Sequence, residues 1–198
     1  MMNAVSVKSY VLPPPDRKEI FRYAGAGGDM GELDKIIDEC LCDRGLAFSG
    51  NVCYCEPDVS VFGDHVDLGF TSVESKALAK NLKNCRRAVI FGATVGMEID
   101  RRIARYSAVS PVKALVFQAI GAERIEALCD VFCQSIKNDL SDGEKLCPRF
   151  SPGYGDLSIE FQREIFSLLG CERRIGLTLN ESLVMSPSKS VTAIVGIK

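Results

Sequence analysis

Residues 86–94, RRAVIFGAT, form the most strand-like run of the chain. The run is short and apolar, with charge before it and glycine near its end, as expected for a buried strand. Gly92 and Gly96 of the stretch FGATVG lie between this strand and a helical pattern, where a phosphate-binding loop could sit. Their spacing fits neither a dinucleotide loop nor a P-loop, so a tight strand-to-helix turn is the preferred interpretation.

The segments upstream of this strand favour a set of hairpins followed by a helix. Residues 46–55, 59–63 and 65–70 are short alternating runs separated by glycine and aspartate. They predict antiparallel strands joined by tight turns. Thr71 and Glu74 have the spacing of a capping box, which predicts a helix beginning at that point.

The segments downstream predict three helices and two strands. Residues 96–106 and 110–136 are helical patterns separated at Ser110, a capping residue followed by proline at the first helical position. Residues 157–170 predict another helix, and the chain end predicts two strands around the turn-prone SPSKS. The long helix should bury one apolar face, composed of Val112, Val116, Ala119, Ile125, Leu128, Phe132 and Ile136.

The first residues predict a strand and two helices. Residues 4–12 alternate with period two until the triple proline 13–15 stops them. Asp16 is placed to cap a short helix, and residues 31–42 carry the apolar spacing of an amphipathic helix that Gly45 would end. Interspersed helices and hairpin-connected strands favour an α+β fold over a doubly wound parallel sheet.

The length and composition favour a single domain of 198 residues with one sizeable core. We divide it into a helical and hairpin part of about residues 1–84 and a motif-bearing part of about residues 85–198. Net charge is −2 with no long basic run, so nucleic acid is not an expected partner. No apolar stretch reaches the roughly 18 to 20 residues of a membrane span, and the first residues lack the apolar core of a signal peptide. We therefore expect no membrane association and a cytoplasmic protein.

Nine cysteines are scattered through a chain with ample core, which favours reduced thiols over a disulfide scaffold. The pairs Cys40/Cys42 and Cys53/Cys55 are spaced too closely for a typical structural zinc site. His65, the single histidine, lies in a presumed hairpin, where a solvated turn residue is the favoured interpretation. We accordingly predict no metal site and no catalytic residue of the serine or cysteine hydrolase type.

The stretch PRFSPGYGD, residues 148–156, concentrates unusual chemistry between two helical segments. Pro152 fixes one backbone angle, while Gly153 and Gly155 lack Cβ atoms, so a ligand can approach the backbone closely. Arg149 offers a planar fork suited to a carboxylate, and Tyr154 offers a flat face with a polar tip. This set suits a zwitterionic, partly aromatic small molecule. A packed crossover loop with Tyr154 plugging the core is the equally open structural alternative.

The same stretch, with LTLNESLVMSPSKSV about twenty-five residues later, resembles the reactivation domain of cobalamin-dependent methionine synthase. The matching signatures of that domain are Arg-x-x-Pro-Gly-Tyr and Leu-Thr-Glu-Ser-x-x-Met-x-Pro-x-x-Ser-Val. The segments EIFRYAG and NCRRAVIFGATVGMEIDRRIARY of this chain also resemble short freestanding relatives of the domain. The likeness is strong from about residue 85 onward and weaker before it.

The resemblance implies a curved α+β fold around a twisted antiparallel sheet, with S-adenosylmethionine as the bound ligand. In that family the domain docks on a cobalamin-carrying module, whose oxidised cobalamin is reduced by a flavodoxin-type donor and then remethylated from S-adenosylmethionine. The resemblance gives Arg149 the ligand carboxylate, Ser151 and Gly153 backbone contacts, and Tyr154 the ligand and corrin side. Glu181 is a further candidate ligand contact, with a hairpin salt bridge as its equally open alternative.

Departures from the family pattern limit the expected activity. Asn180 stands here in place of the threonine of the family's Thr-Glu-Ser run. The family also has an acidic ligand contact upstream of the arginine, for which either Asp130 or Asp139 is a candidate. No Asp-x-His-x-x-Gly cobalamin-binding motif occurs, so cobalamin would belong to a separate methyltransferase subunit. The chain would then be a reactivation subunit, catalytic only in complex. The alternative is a binding or sensing module without methyl transfer, and a third hypothesis makes the cysteines a redox or metal device.

Overall fold

The computed structural model describes residues 4–25, 30–43 and 46–198, and of Met30 only the backbone. The strands are β1 Ser6–Tyr10, β2 Gly50–Cys55, β3 Ser60–Phe62, β4 His65–Asp67, β5 Ser72–Glu74, β6 Arg87–Thr94, β7 Thr178–Leu179, β8 Met185–Ser186 and β9 Ser190–Ile197. The helices are α1 Arg17–Tyr23, α2 Met30–Leu41, α3 Lys76–Asn81, α4 Glu98–Ser107, α5 Pro111–Asn138, α6 Gln162–Leu169 and α7 Cys171–Ile175. A 3-10 turn, Ile159–Phe161, precedes α6.

The main sheet is antiparallel and has the strand order β1-β2-β6-β9. RRAVIFGAT supplies β6, one of its two inner strands, and residues 88–95 are buried. The sheet joins strands from both parts of the chain that we separated at residue 84. An α+β fold with antiparallel sheets flanked by helices is therefore confirmed. The single-domain assignment to residues 1–198 stays a prediction.

Alternation along β6 sends its side chains into two different layers. Val89, Phe91 and Ala93 pack with Phe132 and other residues of α5 on one face. Ala88 and its alternate neighbours face a layer built from α3, α6, α7 and the small sheet β3-β4-β5. A third apolar cluster joins α1, α2 and α4 to the first half of α5. The long helix α5 thus contacts both the sheet and the N-terminal helices.

Most sequence-predicted elements are present, with local corrections. Asp16 caps α1 as predicted, since its carboxylate accepts hydrogen bonds from two backbone amides of the first turn. The helix predicted to begin at Thr71 begins instead at Lys76, because Ser72–Glu74 pair with β4 and Ser75 is the residue that caps the helix. Val112 was expected to be buried but is 49% exposed. Gly45, the predicted end of α2, lies outside the described residues.

Within the described ranges, no helix combines the length and apolar character that crossing a bilayer requires.

Candidate ligand-binding site

Arg149 is held by a backbone segment that extends the main sheet. The amide of Phe150 donates to the carbonyl of Ile194 at 2.9 Å, and the amide of Ile194 donates back at 2.8 Å. Cys147 donates to the carbonyl of Gly196 at 2.8 Å. Neighbouring side chains of an extended segment point to opposite faces. Phe150 therefore packs with the α3/α6/α7 layer, while Arg149 faces α5.

Two carboxylates on α5 receive the guanidinium of Arg149. Its Nη2 atom lies 2.7 Å from Glu126 and 3.2 Å from Asp130. These acids are four residues apart, so they share one face of the helix. The Arg149 side chain is 27% exposed, which leaves the cluster open to solvent on one side. Of the two acids left open by the sequence, Asp130 contacts Arg149, whereas Asp139 pairs with Lys8 at 3.4 Å.

Cys129 lies beneath this cluster, one residue before Asp130. Burial raises the pKa of its thiol to about 12, and the nearby charge of Arg149 partly opposes that shift. The thiol is thus protonated and packs as a small apolar side chain at neutral pH.

The same two acids line a groove of about 490 Å³. Its walls come from residues 13–16, which we call the proline segment, and from α1 and α5. We call this cavity the acidic groove. Five carboxyl-bearing residues line it, together with Arg22, whose charge is paired with Glu19 at 2.5 Å. The aromatic ring of Tyr23 forms part of one wall. The acidic residues are Asp16, Glu19, Glu123, Glu126 and Asp130.

A buried pair of charges fixes the shape of that groove. Glu123 and Arg124 are 4% and 2% exposed and form a salt bridge with each other. Arg124 also donates to the carbonyls of Pro13 and Pro14, and Glu123 accepts from the amide of Asp16 at 3.1 Å. The proline segment is therefore anchored to α5 by ionic hydrogen bonds. Sequence reasoning missed this role, because nothing local in GAERIEALCD indicates burial of both charges.

The predicted backbone contacts of the PRFSPGYGD turn are partly used within the turn itself. The amide of Gly153, whose φ is +90°, donates to the carbonyl of Leu157 at 2.9 Å. The carbonyl of Ser151 accepts from the amide of Tyr154 at 3.1 Å. A carbonyl has a second lone pair, so Ser151 can still accept a hydrogen bond from a ligand.

Tyr154 is exposed and does not plug the core. Its side chain is 60% exposed, and its ring meets Phe150 edge to face at a centroid distance of 6.2 Å. The structure therefore overturns the packed-loop alternative at this residue. A flat aromatic face beside Arg149's segment remains available for contact with a ligand or another protein.

Asp156 anchors the far end of the turn, a role that the sequence did not reveal. Its carboxylate accepts from the hydroxyl of Ser75 and from the amides of Lys76 and Ala77, at 2.8 and 3.2 Å for the amides. It thus caps α3 from a segment about eighty residues away in sequence. The hydrogen bond from Ser75 makes the largest contribution to lowering the pKa of Asp156, and the two amide hydrogen bonds lower it further.

Glu181 contacts Arg163 of α6. It occupies the turn between β7 and β8, where its carbonyl accepts from Nη2 of Arg163 at 2.9 Å and its side chain is exposed. Among the described residues, no hydrogen bond or ion pair joins it to Arg149. The hairpin instead borders a second cavity of about 640 Å³, which we call the α7 cleft, lined by Arg163, Phe166, Ser167, Gly170, Cys171, Glu172, Arg173, Thr178 and Leu179.

The other sequence candidates occupy structural positions. Gly96, with φ of +84°, makes the turn between β6 and α4, and its amide donates to the hydroxyl of Thr94. His65 is exposed on β4. In the part of the chain that the structure describes, no group of three or more His, Cys, Asp or Glu residues could hold a metal ion.

The fold matches a crystal structure of the MetH reactivation domain bound to AdoHcy, with a TM-score of 0.71. The match covers 98% of this chain and 78% of that chain. Sequence identity over it is 14%. No protein-family model and no curated protein matches the chain. The likeness at this identity establishes a shared fold, and the expected architecture is confirmed to that extent.

Proposed function

We propose that this protein binds S-adenosylmethionine beside Arg149 and acts as a reactivation subunit for a separate cobalamin-carrying methyltransferase. The observation that carries the proposal is the pairing of Arg149 with Glu126 and Asp130, two acids that line the acidic groove. The solved domain of the same fold binds AdoHcy, which supports an adenosyl ligand.

The arrangement of charges suits both ends of an amino acid. The fork of Arg149 can pair with a carboxylate, while Glu126 and Asp130 can accept from an ammonium group. A ligand with both groups would replace part of the existing Arg149 ion pairs without leaving a charge unpaired. Tyr154 and the carbonyl of Ser151 lie on the same chain segment and would contact the rest of the ligand.

The acidic groove adds a preference among adenosyl ligands. S-adenosylmethionine carries a sulfonium cation that AdoHcy lacks. Glu19 and Glu123 of the groove are already paired with arginines. Asp16, Glu126 and Asp130 would favour that additional positive charge once the ligand carboxylate occupies Arg149. S-adenosylmethionine should therefore bind more tightly than AdoHcy, and the difference should shrink as added salt screens the carboxylates.

The methyl-transfer part of the proposal requires other proteins. The single histidine, His65, lies outside any cobalamin-binding motif, so the corrin would be brought by the partner. A flavodoxin-type protein would supply the electron that returns oxidised cobalamin to its reactive state. The role of this chain would be to present the methyl group, with Tyr154 toward the corrin.

Calorimetric titration with S-adenosylmethionine and AdoHcy tests the ligand. We expect saturable binding, with a loss of about 30-fold or more in affinity for Arg149→Ala, since a charge-assisted bidentate contact contributes about 2 to 3 kcal/mol. Arg149→Lys should recover little of this loss, because a point charge lacks the fork. Arg163→Ala, at the α7 cleft, is the matched control and should bind normally.

The titration has a clear opposing outcome. Equal binding by the intact protein and Arg149→Ala would place the ligand elsewhere. No binding by the intact protein, with or without a cobalamin protein, would remove the ligand from the proposal.

The second candidate is a binding module that kept the ligand and lost methyl transfer. It is favoured by one observation, that Arg149, Glu126 and Asp130 together can bind both ends of an amino acid without a corrin. Methylation of reduced cobalamin on an added methyltransferase, measured by its absorption spectrum, distinguishes the two. Transfer dependent on Arg149 supports reactivation, whereas binding without transfer supports the module.

A further inference from the structure

The layer opposite α5 contains two close pairs of thiols. The sulfur atoms of Cys53 and Cys171 lie 3.6 Å apart, and those of Cys85 and Cys147 lie 3.4 Å apart. All nine cysteines are free thiols, and these four are buried. Both separations are longer than a disulfide bond of about 2.05 Å, so the side chains must move for either pair to form one.

Each pair fills space that a strand glycine leaves open. A Cβ atom on Gly92 of β6 would lie 3.0 Å from the sulfur of Cys171 and 3.7 Å from that of Cys53. A Cβ atom on Gly196 of β9 would lie 2.5 Å from the sulfur of Cys85. Glycine in a strand interior marks close approach by another group, here a thiol pair in both cases.

All four thiols are nearly inaccessible, but the two pairs differ in whether they border a cavity. Cys171 is the first residue of α7 and lines the α7 cleft, whose walls also include Arg163 and Arg173. A small reagent in this cleft lies against Cys171, which is itself 1% exposed, and the sulfur of Cys53 lies 3.6 Å from that of Cys171. No cavity described above is lined by Cys85 or Cys147.

The pairs also differ in acidity. The contact with Cys171, the backbone amide of Gly92 and the charge of Arg174 lower the pKa of Cys53 against the effect of burial. The contact with Cys53 and burial raise the pKa of Cys171. Burial raises the pKa of Cys85 to about 12, so Cys85 is protonated at neutral pH.

We propose that Cys53 and Cys171 form a redox-active dithiol, which closes to an intramolecular disulfide when a small peroxide enters the α7 cleft. One sulfur of the pair attacks a peroxide oxygen, so the O–O bond breaks, water leaves and a sulfenic acid forms. The other sulfur attacks the sulfenic sulfur, forming the S–S bond and releasing a second water. The thiols lose two electrons and two protons, and hydrogen peroxide is reduced to two waters.

The disulfide would tie the first turn of α7 to β2 and thereby fix one wall of the α7 cleft. This site is separate from Arg149, and the inference does not depend on the proposed ligand. It gives the third sequence-derived hypothesis, a redox role for cysteines, a specific pair of residues.

Hydrogen peroxide treatment of the reduced protein, followed by alkylation and peptide mass mapping, tests the proposal. A Cys42→Ser background removes the exposed thiol that could link two molecules. We expect the Cys53–Cys171 cross-link to form at least about tenfold faster than the Cys85–Cys147 cross-link, because thiolate character and access set the rate. The matched variant Cys147→Ala should leave the first cross-link unchanged.

Three outcomes would overturn the proposal. They are faster formation of the Cys85–Cys147 cross-link, equal rates for both, and oxidation of Cys53 while Cys171 stays available to alkylation. The mapping uses the native thiols of both pairs, so it remains decisive even if Cys53→Ala or Cys171→Ala does not fold.

Discussion

Arg124 and Glu123 show how single buried charges shape the proposed site. They are adjacent on α5 and nearly inaccessible, yet each makes further hydrogen bonds to the proline segment that borders the acidic groove. A buried ion pair adds little net stability relative to apolar residues, but removing one member leaves the other charge buried and unpaired. The pair therefore determines where residues 13–16 lie.

Replacing Arg124 with methionine should destabilise the protein by about 3 to 5 kcal/mol, because Glu123 would lose its buried partner. Urea unfolding followed by circular dichroism measures this change. The double variant Glu123→Gln/Arg124→Met should lose less than Arg124→Met alone, and the exposed Arg173→Met should lose almost nothing. A loss below about 1 kcal/mol for Arg124→Met would mean that water or rearrangement satisfies Glu123.

The PRFSPGYGD turn and α3 are coupled as elements. Asp156 ends the turn and binds the first backbone amides of α3, whose own cap, Ser75, also donates to it. A short helix depends strongly on such capping, because its first amides have no partners within the helix. The turn that carries Arg149 and Tyr154 is thus attached at one end to the sheet and at the other to α3.

Asp156→Asn should lower the urea midpoint at about pH 7 and have much less effect in acid. The pKa of Asp156 is lowered in the folded state, so its contribution is fully present above the ordinary aspartate pKa and is lost as pH falls through the lowered value. Urea midpoints of the variant and the parent, compared at about pH 7 and about pH 2, measure the difference. A gap that is constant with pH would show that charge is not the cause.

The whole molecule presents an exposed aromatic residue next to the proposed ligand site. Tyr154 is 60% exposed and lies on the same segment as Arg149. Exposed aromatic side chains that become buried at an interface frequently account for much of its affinity. In the proposed complex, the partner's cobalamin-carrying module would cover this ring.

Tyr154→Ala should weaken docking on a cobalamin-carrying methyltransferase by about tenfold or more, as expected for an interface aromatic residue. Phe62→Ala, at the equally exposed β3–β4 hairpin with 73% exposure, is the control and should dock normally. Calorimetry with the purified methyltransferase measures both. Equal affinities for the two variants and the parent would place the docking surface elsewhere.

The sequence by itself determined the class of the fold and most of its elements. The apolar run that became β6, the Asp16 cap and the helical spacing of α5 are local signals, since periodicity and capping depend on neighbouring residues. Arg149, Ser151, Gly153 and Tyr154 could be singled out because their chemistry is concentrated in one short turn. The start of α3 was misplaced because strand pairing with β4 overrode a local capping pattern.

Only the tertiary structure decided what surrounds Arg149 and which thiols meet. Glu126 and Asp130 are 23 and 19 residues from Arg149 in sequence, and Cys53 and Cys171 are 118 residues apart. Glu181, which belongs to the second family-like motif, contacts Arg163 at the α7 cleft. These contacts depend on how α5 and α7 pack on opposite faces of the sheet, and packing between distant segments leaves no periodic signal in the sequence.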